Sequence, residues 1–250
     1  MSLRRAFDTP DSKRQYNRQL FSTIADRYDL ITALLSYGQD ARWKRRLVAE
    51  ASVAPGDRAL DLACGTGDIA FRLAARGART AGLDLTLRML ERAKGKTAPG
   101  SRPALSDAEG FPAPVLFLQG DMTRLPFAAA AFDLVTTGYG LRNVPDLRAA
   151  VDEIARVLKP GGRLLSLDFN RPRSAIVRTA YLTYLTVVGS ILGLILHRDP
   201  DTYRYIAASL ARYPGDEAVA VILRTSGFTN VRIVPLLGGL MSLHLANRSR

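Results

Sequence analysis

The sequence predicts an α/β protein whose mostly parallel sheet carries helices on both faces. From residue 58 onward, short apolar stretches of strand length alternate with amphipathic stretches of helical length. Such alternation is typical of a parallel sheet, because each helix returns the chain to the edge where the next strand begins. With 250 residues, 47% of them hydrophobic, the chain can bury one full core without disulfides.

The predicted elements follow in chain order. Residues 1–50 carry apolar side chains at helical spacing, which predicts a helical N-terminal segment. Seven strands are predicted after it, at 58–63, 79–84, 115–121, 131–137, 163–170, 230–237 and 240–246. Helices are predicted between them, at 65–77, 87–96, 146–159 and 216–227.

Two segments have distinctive composition. The helix at 146–159 has Asp146 as a suitable N-cap, and Pro160-Gly161-Gly162 is expected to stop it. Residues 97–114 are rich in proline, glycine and serine, which predicts a loop.

Residues 180–196 contain no charged side chain. The stretch is shorter than the ~20 residues that span a bilayer, so it predicts one or two apolar helices and not a membrane span. Two interpretations remain open: a buried helix hairpin, or an apolar lid that contacts a membrane surface.

The composition limits the classes of partner. A formal net charge of +12 favours nucleic acid, a membrane surface or an acidic ligand, although a generally arginine-rich surface would give the same charge. One cysteine, Cys64, excludes an internal disulfide, and two distant histidines, His197 and His244, are too few for a zinc site. No metal is expected. The N-terminus has no apolar stretch of the kind found in secretory signals, and we expect a reducing, cytoplasmic location.

The loop at 60–68, Leu-Asp-Leu-Ala-Cys-Gly-Thr-Gly-Asp, joins the first predicted strand to its helix. Gly65 and Gly67, on either side of Thr66, allow the backbone to turn sharply and to approach a ligand at the helix N-terminus. A dinucleotide matches poorly, because the third glycine of its motif is missing. Asp61 would repel a pyrophosphate, and it suits a cationic ligand instead.

Further carboxylates end the second and third predicted strands. Asp84, followed by Leu85, stands where an acidic residue accepts hydrogen bonds from ribose hydroxyls. Asp121 could accept from an adenine amino group, with Met122 against the ring. A single aspartate usually caps a loop. Carboxylates at three successive strand ends, on the edge where α/β sheets bind ligands, favour a positively charged adenosine, S-adenosylmethionine.

Gly138, Tyr139 and Gly140 follow the fourth predicted strand, and Arg142 and Asn143 come directly after them. The two glycines would let this loop approach a ligand closely. A turn with a solvated arginine is the alternative interpretation.

These motifs resemble those of the class I methyltransferases and, more narrowly, the UbiE/COQ5/MenG family of quinone-biosynthesis C-methyltransferases. The resemblance rests on residues 60–68, on "GDMTRLPF" at 120–127, on "FDLVTTGYGLRNVPD" at 132–146 and on "RVLKPGGRLLSLDF" at 156–169. It extends to 21–48 and 203–246, and so covers nearly the whole chain.

The resemblance implies a Rossmann-like fold in which a seven-stranded methyltransferase domain occupies 51–250. Residues 1–50 are expected to cover the substrate site, and residues 172–212 to form a helical lid inserted after the fifth strand. S-adenosylmethionine is the implied cofactor.

The resemblance also implies roles for the loop after the fourth strand. In such a family a quinol ring carbon attacks the sulfonium methyl group after a neighbouring hydroxyl has lost its proton. Arg142 is then expected to stabilise the oxyanion or to position a water, and Asn143 to orient the ring oxygen. Tyr139 is expected to wall the pocket, and Gly138 to lie against the methionine part of the cofactor.

Three positions depart from the family pattern. Thr32 ends the motif at 28–32, where the family has asparagine; Asp40 replaces a histidine, and Asn170 replaces a serine. These departures fall in the substrate-facing half, whereas the cofactor motifs are intact. They bear on the identity of the acceptor.

The predicted activity is therefore the S-adenosylmethionine-dependent C-methylation of a prenylated quinol. Demethylmenaquinol is the favoured acceptor, and 2-polyprenyl-6-methoxy-benzoquinol of ubiquinone biosynthesis is the next. The positive charge and the apolar stretch would bring the protein transiently to a membrane surface, and a homodimer is a further expectation.

Two alternatives remain. One is the methylation of another lipophilic or phenolic small molecule. The other is a nucleic-acid-binding methyltransferase, which the sequence favours least because it contains no recognisable RNA-binding module; no nucleic-acid partner is expected.

Overall fold

The computed structural model describes residues 3–96 and 114–250, and its centre is a seven-stranded sheet. Its strands are β1 (Arg58–Leu62), β2 (Arg79–Asp84), β3 (Leu116–Gln119), β4 (Phe132–Gly138), β5 (Leu158–Phe169), β6 (Phe228–Leu236) and β7 (Met241–Arg248). They lie in the order β3-β2-β1-β4-β5-β7-β6. Strands β1–β5 are mutually parallel, and β7 runs antiparallel to both β5 and β6. The predicted mostly parallel sheet of seven strands is confirmed.

Helices precede and connect these strands. They are α1 (Pro10–Ile24), α2 (Tyr28–Leu35), α3 (Asp40–Glu50), α4 (Asp68–Ala74), α5 (Leu87–Gly95), α6 (Leu147–Val157), α7 (Ala175–His197), α8 (Asp201–Arg212) and α9 (Asp216–Thr225). Local chemistry fixes several starts. Thr9 and Ser12 form a capping box before α1, and Asp146 accepts the backbone N–H of Ala149 as the N-cap of α6.

The period-2 alternation of each strand gives the sheet two apolar faces. Leu134 of β4 packs in a cluster with Leu47 of α3 and Leu73 of α4. Its neighbour Val135 points the other way and packs in a cluster with Ile154 of α6. The sheet is therefore covered on both faces.

The strand order reverses direction between β1 and β4, which lie side by side although β2 and β3 intervene in the chain. Loops that leave the carboxyl ends of two such strands diverge and leave a crevice between them, where open α/β sheets bind ligands. In this chain the two loops are the glycine loop after β1 and residues 138–143 after β4.

The N-terminal helices and the helices after β5 form a roof over that edge of the sheet. A third apolar cluster joins the two segments and contains Tyr16, Leu20 and Ile31 from the N-terminal side with Tyr203 and Tyr205 from α8. The roof is thus held together by contacts between residues nearly 190 positions apart in the chain.

The structure corrects the prediction for the end of α6. The helix ends at Val157, and the segment Lys159–Gly162, expected to lie outside regular structure, is part of β5. Leu158 is already extended, with φ −72° and ψ 142°. A residue that precedes proline avoids the α region, so the turn to strand geometry occurs before Pro160 and not at the glycines.

The structure also corrects the prediction for residues 180–196. They belong to one helix of 23 residues, α7, which by length and composition could cross a membrane, a test that core helices of soluble proteins also pass. The argument from insufficient length was therefore wrong. So was the buried hairpin, because only Leu185, Gly189 and Gly193 of α7 are buried.

Most of the predicted loop at 97–114 lies outside the described residues.

Candidate active site

A cavity of about 1280 Å³ lies between the carboxyl edge of the sheet and the helical roof. Its floor comes from the ends of β1, β2 and β4 and the loop after β3, and its walls from α1, α2 and α8. It is large enough for a cofactor and a second small molecule, because ligand pockets usually measure about 300–1,000 Å³.

Glycines keep the floor of the cavity open. A Cβ atom on Gly138 would lie 2.8 Å from Ile69 Cδ1, and one on Gly140 would collide with Thr137 Oγ1. Gly65 has φ +54°, a conformation that glycine adopts without strain. The predicted close approach of both loops to a ligand is thus built into the backbone.

The predicted adenosine residues line the cavity. Asp84 accepts the backbone N–H groups of Gly65 and Thr86, both at 2.8 Å, which orients its carboxylate in the wall beside Leu85. Burial raises the pKa of Asp84, and the two N–H groups oppose that effect. Each oxygen retains a lone pair, so the carboxylate can still accept from a ligand.

Asp121 and Met122 also line the cavity, but Asp121 has more partners than the sequence indicates. One oxygen accepts from the backbone and hydroxyl of Thr123, and the other accepts from Nε of Arg14 at 2.6 Å. Arg14 belongs to α1, so the N-terminal helix reaches the part of the cavity predicted to hold adenine.

The other glycine-loop residues lie behind the cavity wall. Asp61, Thr66 and Gly67 are not among the residues that line the cavity. Thr66 donates to Asp29 of α2 at 2.7 Å, which ties the loop to the roof. Asp61 is fully buried and accepts from Thr136 at 2.8 Å, and burial raises its pKa to about 7.

Arg142 is held in the cavity wall by β5 and α8. Its backbone N–H donates to Asp168 Oδ2 at 3.0 Å, its Nε lies 3.4 Å from Asp168 Oδ1, and its Nη1 donates to Ser209. Both members of the ion pair are buried. No acceptor in the described part of the chain binds Nη2, so the guanidinium keeps a donor for a ligand. The alternative of a solvated arginine is wrong.

Asp168 is a site residue that the sequence analysis missed. It stands near the end of β5, and is thus a fourth strand-end carboxylate after those of β1, β2 and β3. Burial raises its pKa, which Arg142 counteracts. Its position in the strand order could have identified it.

Unpartnered polar atoms come together on one side of the cavity. Asn143 donates to the carbonyl of Tyr139 at 2.7 Å, but its Oδ1 is buried without a partner. The same is true of Asn17 Oδ1 in α1 and of the Tyr205 hydroxyl in α8, and all three residues line the cavity. Buried polar atoms are costly unless they are paired, so this group suits a ligand that carries hydroxyl or carbonyl oxygens.

Tyr139 is a wall residue in the structure. Its hydroxyl donates to Asp40 at 2.7 Å, and Asp40 also forms an ion pair with Lys44 at 2.7 Å. Burial, followed by the charge of Asp40, raises the pKa of Tyr139 well above its usual value. Asp40, which stands where the family has histidine, therefore anchors both the tyrosine and α3.

The other departures from the family pattern have different surroundings. Thr32 lines the cavity and can affect the acceptor. Asn170 lies away from the cavity, where it accepts the backbone N–H of Asp216 at the start of α9 and donates to the carbonyl of Gly239. Only the first of these two changes can alter the acceptor by direct contact.

The residues present fit S-adenosylmethionine. The buried Asp61 Oδ2 has no partner, the glycines leave room for a ligand against the backbone, and Asp84 offers free lone pairs. Gly65, Asp84, Leu85, Met122 and Gly138 would hold the cofactor, which brings a methyl group activated by a sulfonium.

Comparison with known proteins identifies the family. The sequence model described as the ubiE/COQ5 methyltransferase family matches residues 9–248. A demethylmenaquinone methyltransferase of Mycobacterium sp. (strain KMS) is 37% identical over 227 residues, which are 91% of each chain. Another, from Staphylococcus aureus (strain JH9), is 33% identical over 246 residues, which are 97% of each chain.

Solved structures share the fold. A methyltransferase of Thermotoga maritima, described as a possible histamine N-methyltransferase, matches with a TM-score of 0.63 at 18% identity, over 93% of this chain and 99% of its own. Magnesium protoporphyrin IX methyltransferase of Synechocystis PCC 6803, with bound S-adenosylhomocysteine, matches with 0.62 at 21% identity, over 95% and 100%. The chain belongs to the ubiE/COQ5 methyltransferase family, and is an S-adenosylmethionine-dependent methyltransferase.

Proposed function

We propose that the protein methylates a ring carbon of a prenylated quinol, with demethylmenaquinol as the acceptor. The observation that carries the proposal is the buried cation Arg142, fixed by Asp168 and Ser209 in the wall of a largely apolar cavity. An apolar cavity suits an aromatic ring, and a fixed cation suits the oxyanion of its hydroxyl. Relatives named demethylmenaquinone methyltransferase, at 37% and 33% identity, support this acceptor.

The residues of the chain have to favour the ionised quinol, because its ring carbon becomes nucleophilic when the neighbouring hydroxyl loses a proton. Arg142 stabilises the resulting oxyanion electrostatically. Asn143 Oδ1 and the Tyr205 hydroxyl, both unpartnered, are available to the second ring oxygen. Tyr139 takes no part in proton transfer, since its hydroxyl donates to Asp40 and its pKa is raised well above its usual value.

The helical roof excludes water from the reaction. Tyr16, Leu20 and Tyr203 lie in the apolar cluster that joins the N-terminal helices to α8 above the cavity. A dry site strengthens the interaction between Arg142 and an oxyanion, because the local dielectric constant is low. The N-terminal segment is therefore part of the active site and not an appendage.

We further propose that α7 and α2 bring the protein to the membrane that holds its acceptor. Arg27 donates to the carbonyl of Leu196 and Tyr37 hydrogen-bonds with Tyr184, so the two helices run side by side. Large apolar residues are exposed on them, among them Leu30, Leu34, Ile176, Val187, Ile191, Leu194 and Ile195. Exposed apolar area of this kind, on a chain of net charge +12, suits the surface of an anionic bilayer.

Product analysis tests the proposal. The purified protein is incubated with isotopically labelled S-adenosylmethionine and, separately, with demethylmenaquinol, 2-polyprenyl-6-methoxy-benzoquinol and a panel of simple phenols. We expect label on a ring carbon of demethylmenaquinol, and at least tenfold less with the other acceptors. Labelling of a phenol alone would contradict the proposal and favour another small-molecule acceptor.

A further inference from the structure

A second cavity, of about 970 Å³, lies beside the first. Leu35, Trp43 and Phe169 line both cavities, so the two spaces share a wall made of three apolar side chains. We call this second space the side cavity. Its remaining lining comes from α7 and from the turn between β6 and β7, and includes Ala180, Tyr181, Leu185, Leu240 and Met241.

The chemistry of the side cavity differs from that of the main cavity. None of its lining residues carries a charge, and its polar groups are the indole N–H of Trp43 and the hydroxyls of three tyrosines. The main cavity, by contrast, contains Asp84, Asp121 and Arg142. A space with this lining recognises an apolar ligand through burial alone.

The side cavity opens at the exposed apolar surface. Tyr37, Ile176, Val177 and Leu237 line it and are also exposed, by 61%, 83%, 48% and 43%. Tyr37 and Tyr184 lie at this opening with their rings stacked at 6.2 Å and their hydroxyls hydrogen-bonded. Tyr37 has φ +52°, an uncommon conformation for a non-glycine residue, which directs this side chain toward α7.

We infer that the side cavity binds the isoprenoid chain of the acceptor. The inference rests on the proposed function, and it gives the substrate a specific path. The ring lies in the main cavity beside Arg142, the chain passes the shared wall at Phe169, and it leaves between Tyr37 and Tyr184 into the bilayer. The chain is committed to this occupant because the side cavity is continuous with the reaction site, uncharged, and open on the apolar surface of α7.

The chain offers a built-in probe for this site. Trp43 is its single tryptophan, and it is buried in the shared wall. Titration with farnesol should therefore change the fluorescence of Trp43 saturably without any need for cofactor or turnover. Ala180→Phe narrows the side cavity from α7. Thr183→Phe adds the same ring to an exposed position of the same helix that does not line the cavity, and serves as the matched control.

We expect Ala180→Phe to weaken farnesol binding at least tenfold and Thr183→Phe to leave it unchanged. In the methylation assay, Ala180→Phe should lower kcat/KM at least tenfold for a prenylated demethylmenaquinol, and less than twofold for the same ring without its chain. Retained turnover of the chain-free ring, with an unchanged melting temperature, excludes misfolding as the cause.

Equal farnesol binding by Ala180→Phe and wild type would overturn the inference, as would an equal loss with both acceptors. These results leave the proposed function intact if the quinol is still methylated. If farnesol binds as expected but no quinol is methylated, the proposed function fails, and the side cavity stands as a site for another isoprenoid.

Discussion

Arg142 and Asp168 form a buried ion pair across the ends of two neighbouring parallel strands. β4 and β5 are in register at Gly138 and Leu167, so the loop after β4 starts next to the carboxylate at the end of β5. Asp168 accepts from both the backbone and the side chain of Arg142. The carboxylate therefore fixes the position of the loop as well as the charge of the guanidinium, and both are needed to place a cation at the cavity wall.

Asp168→Asn should lower kcat about 10–100-fold, because it removes the charge that orients Arg142 while keeping a similar shape. The KM for S-adenosylmethionine should change little, since Asp168 does not line the cavity. Steady-state kinetics with both substrates checks this split. Asp152→Asn, in an exposed pair with Arg148, is the matched control and should keep full activity. A raised KM for the cofactor with unchanged kcat would contradict the positioning role.

Lys13→Met should lower both activity and stability. Lys13 Nζ donates to the carbonyls of Arg142 and Val144, at 3.2 and 2.6 Å, and so holds the catalytic loop from α1. Burial, with the nearby charge of Arg142, lowers the pKa of Lys13 to about 8. We expect a loss of about 1–3 kcal/mol in the free energy of unfolding, measured with urea.

Arg18→Met on the same helix is the control for Lys13→Met, because Arg18 is exposed and has no partner in the described residues. It should behave as wild type. Equal effects of the two substitutions would show that loss of positive charge on α1, and not loss of the loop contact, is responsible.

Asp61→Asn should change how stability depends on pH. Burial raises the folded-state pKa of Asp61 to about 7, above its unfolded value of about 3.9. The folded protein then binds more protons than the unfolded chain in this interval, so the contribution of Asp61 to stability falls as the pH rises through about 7. The melting temperature of Asp61→Asn, relative to wild type without cofactor, should be higher at pH 8 than at pH 5.

His197 and His244, whose pKa values burial lowers, act in the opposite direction, but they cancel in this difference between two proteins. A difference in melting temperature that stays constant from pH 5 to pH 8 would contradict the raised pKa of Asp61.

Gly140→Ala should impair cofactor binding. The added Cβ would collide with Thr137 Oγ1 and lie 3.0 Å from the Cβ of Ala63, at the floor of the cavity. Overpacking of this kind costs about 1–3 kcal/mol. Calorimetric titration with S-adenosylhomocysteine should show weaker binding. Gly95→Ala in α5, where nothing lies within 4 Å of the new Cβ, should bind normally and be slightly more stable.

Ile176→Asp and Ile195→Asp should each weaken binding to vesicles of phosphatidylglycerol. Their side chains are 83% and 69% exposed at opposite ends of α7, and a charge there is costly to bury in an apolar phase. Co-sedimentation with the vesicles measures the effect. Val221→Asp, at an equally apolar exposed position on α9, should not weaken binding. Equal losses at all three sites would point to nonspecific attraction and contradict the α7 surface.

The fold was predictable because its signals are local. The strands around Leu60 and Val135 are apolar and short, and Asp146 caps its helix with an atom three residues away. Such features leave a periodic or positional mark in a single sequence. The error at Pro160 arose because proline and glycine stop a helix but do not exclude a bulged strand at the edge of a turn.

The site was predictable only where the strand order determines it. Asp84 and Arg142 follow strand ends, so their convergence follows from a parallel sheet. Lys13 and Asn17 reach the same loop from α1 over more than 120 residues of chain, and no periodicity indicates such a contact. The burial of Lys44, which sits among exposed arginines in the sequence, depends in the same way on Asp68.

The quinone pool of cells that lack this gene gives the most direct test of the central claim. Mass spectrometry should show accumulated demethylmenaquinone, which wild type clears on complementation and Arg142→Ala does not. Clearance by both proteins would remove Arg142 from the chemistry. An unchanged quinone pool would contradict the proposed acceptor.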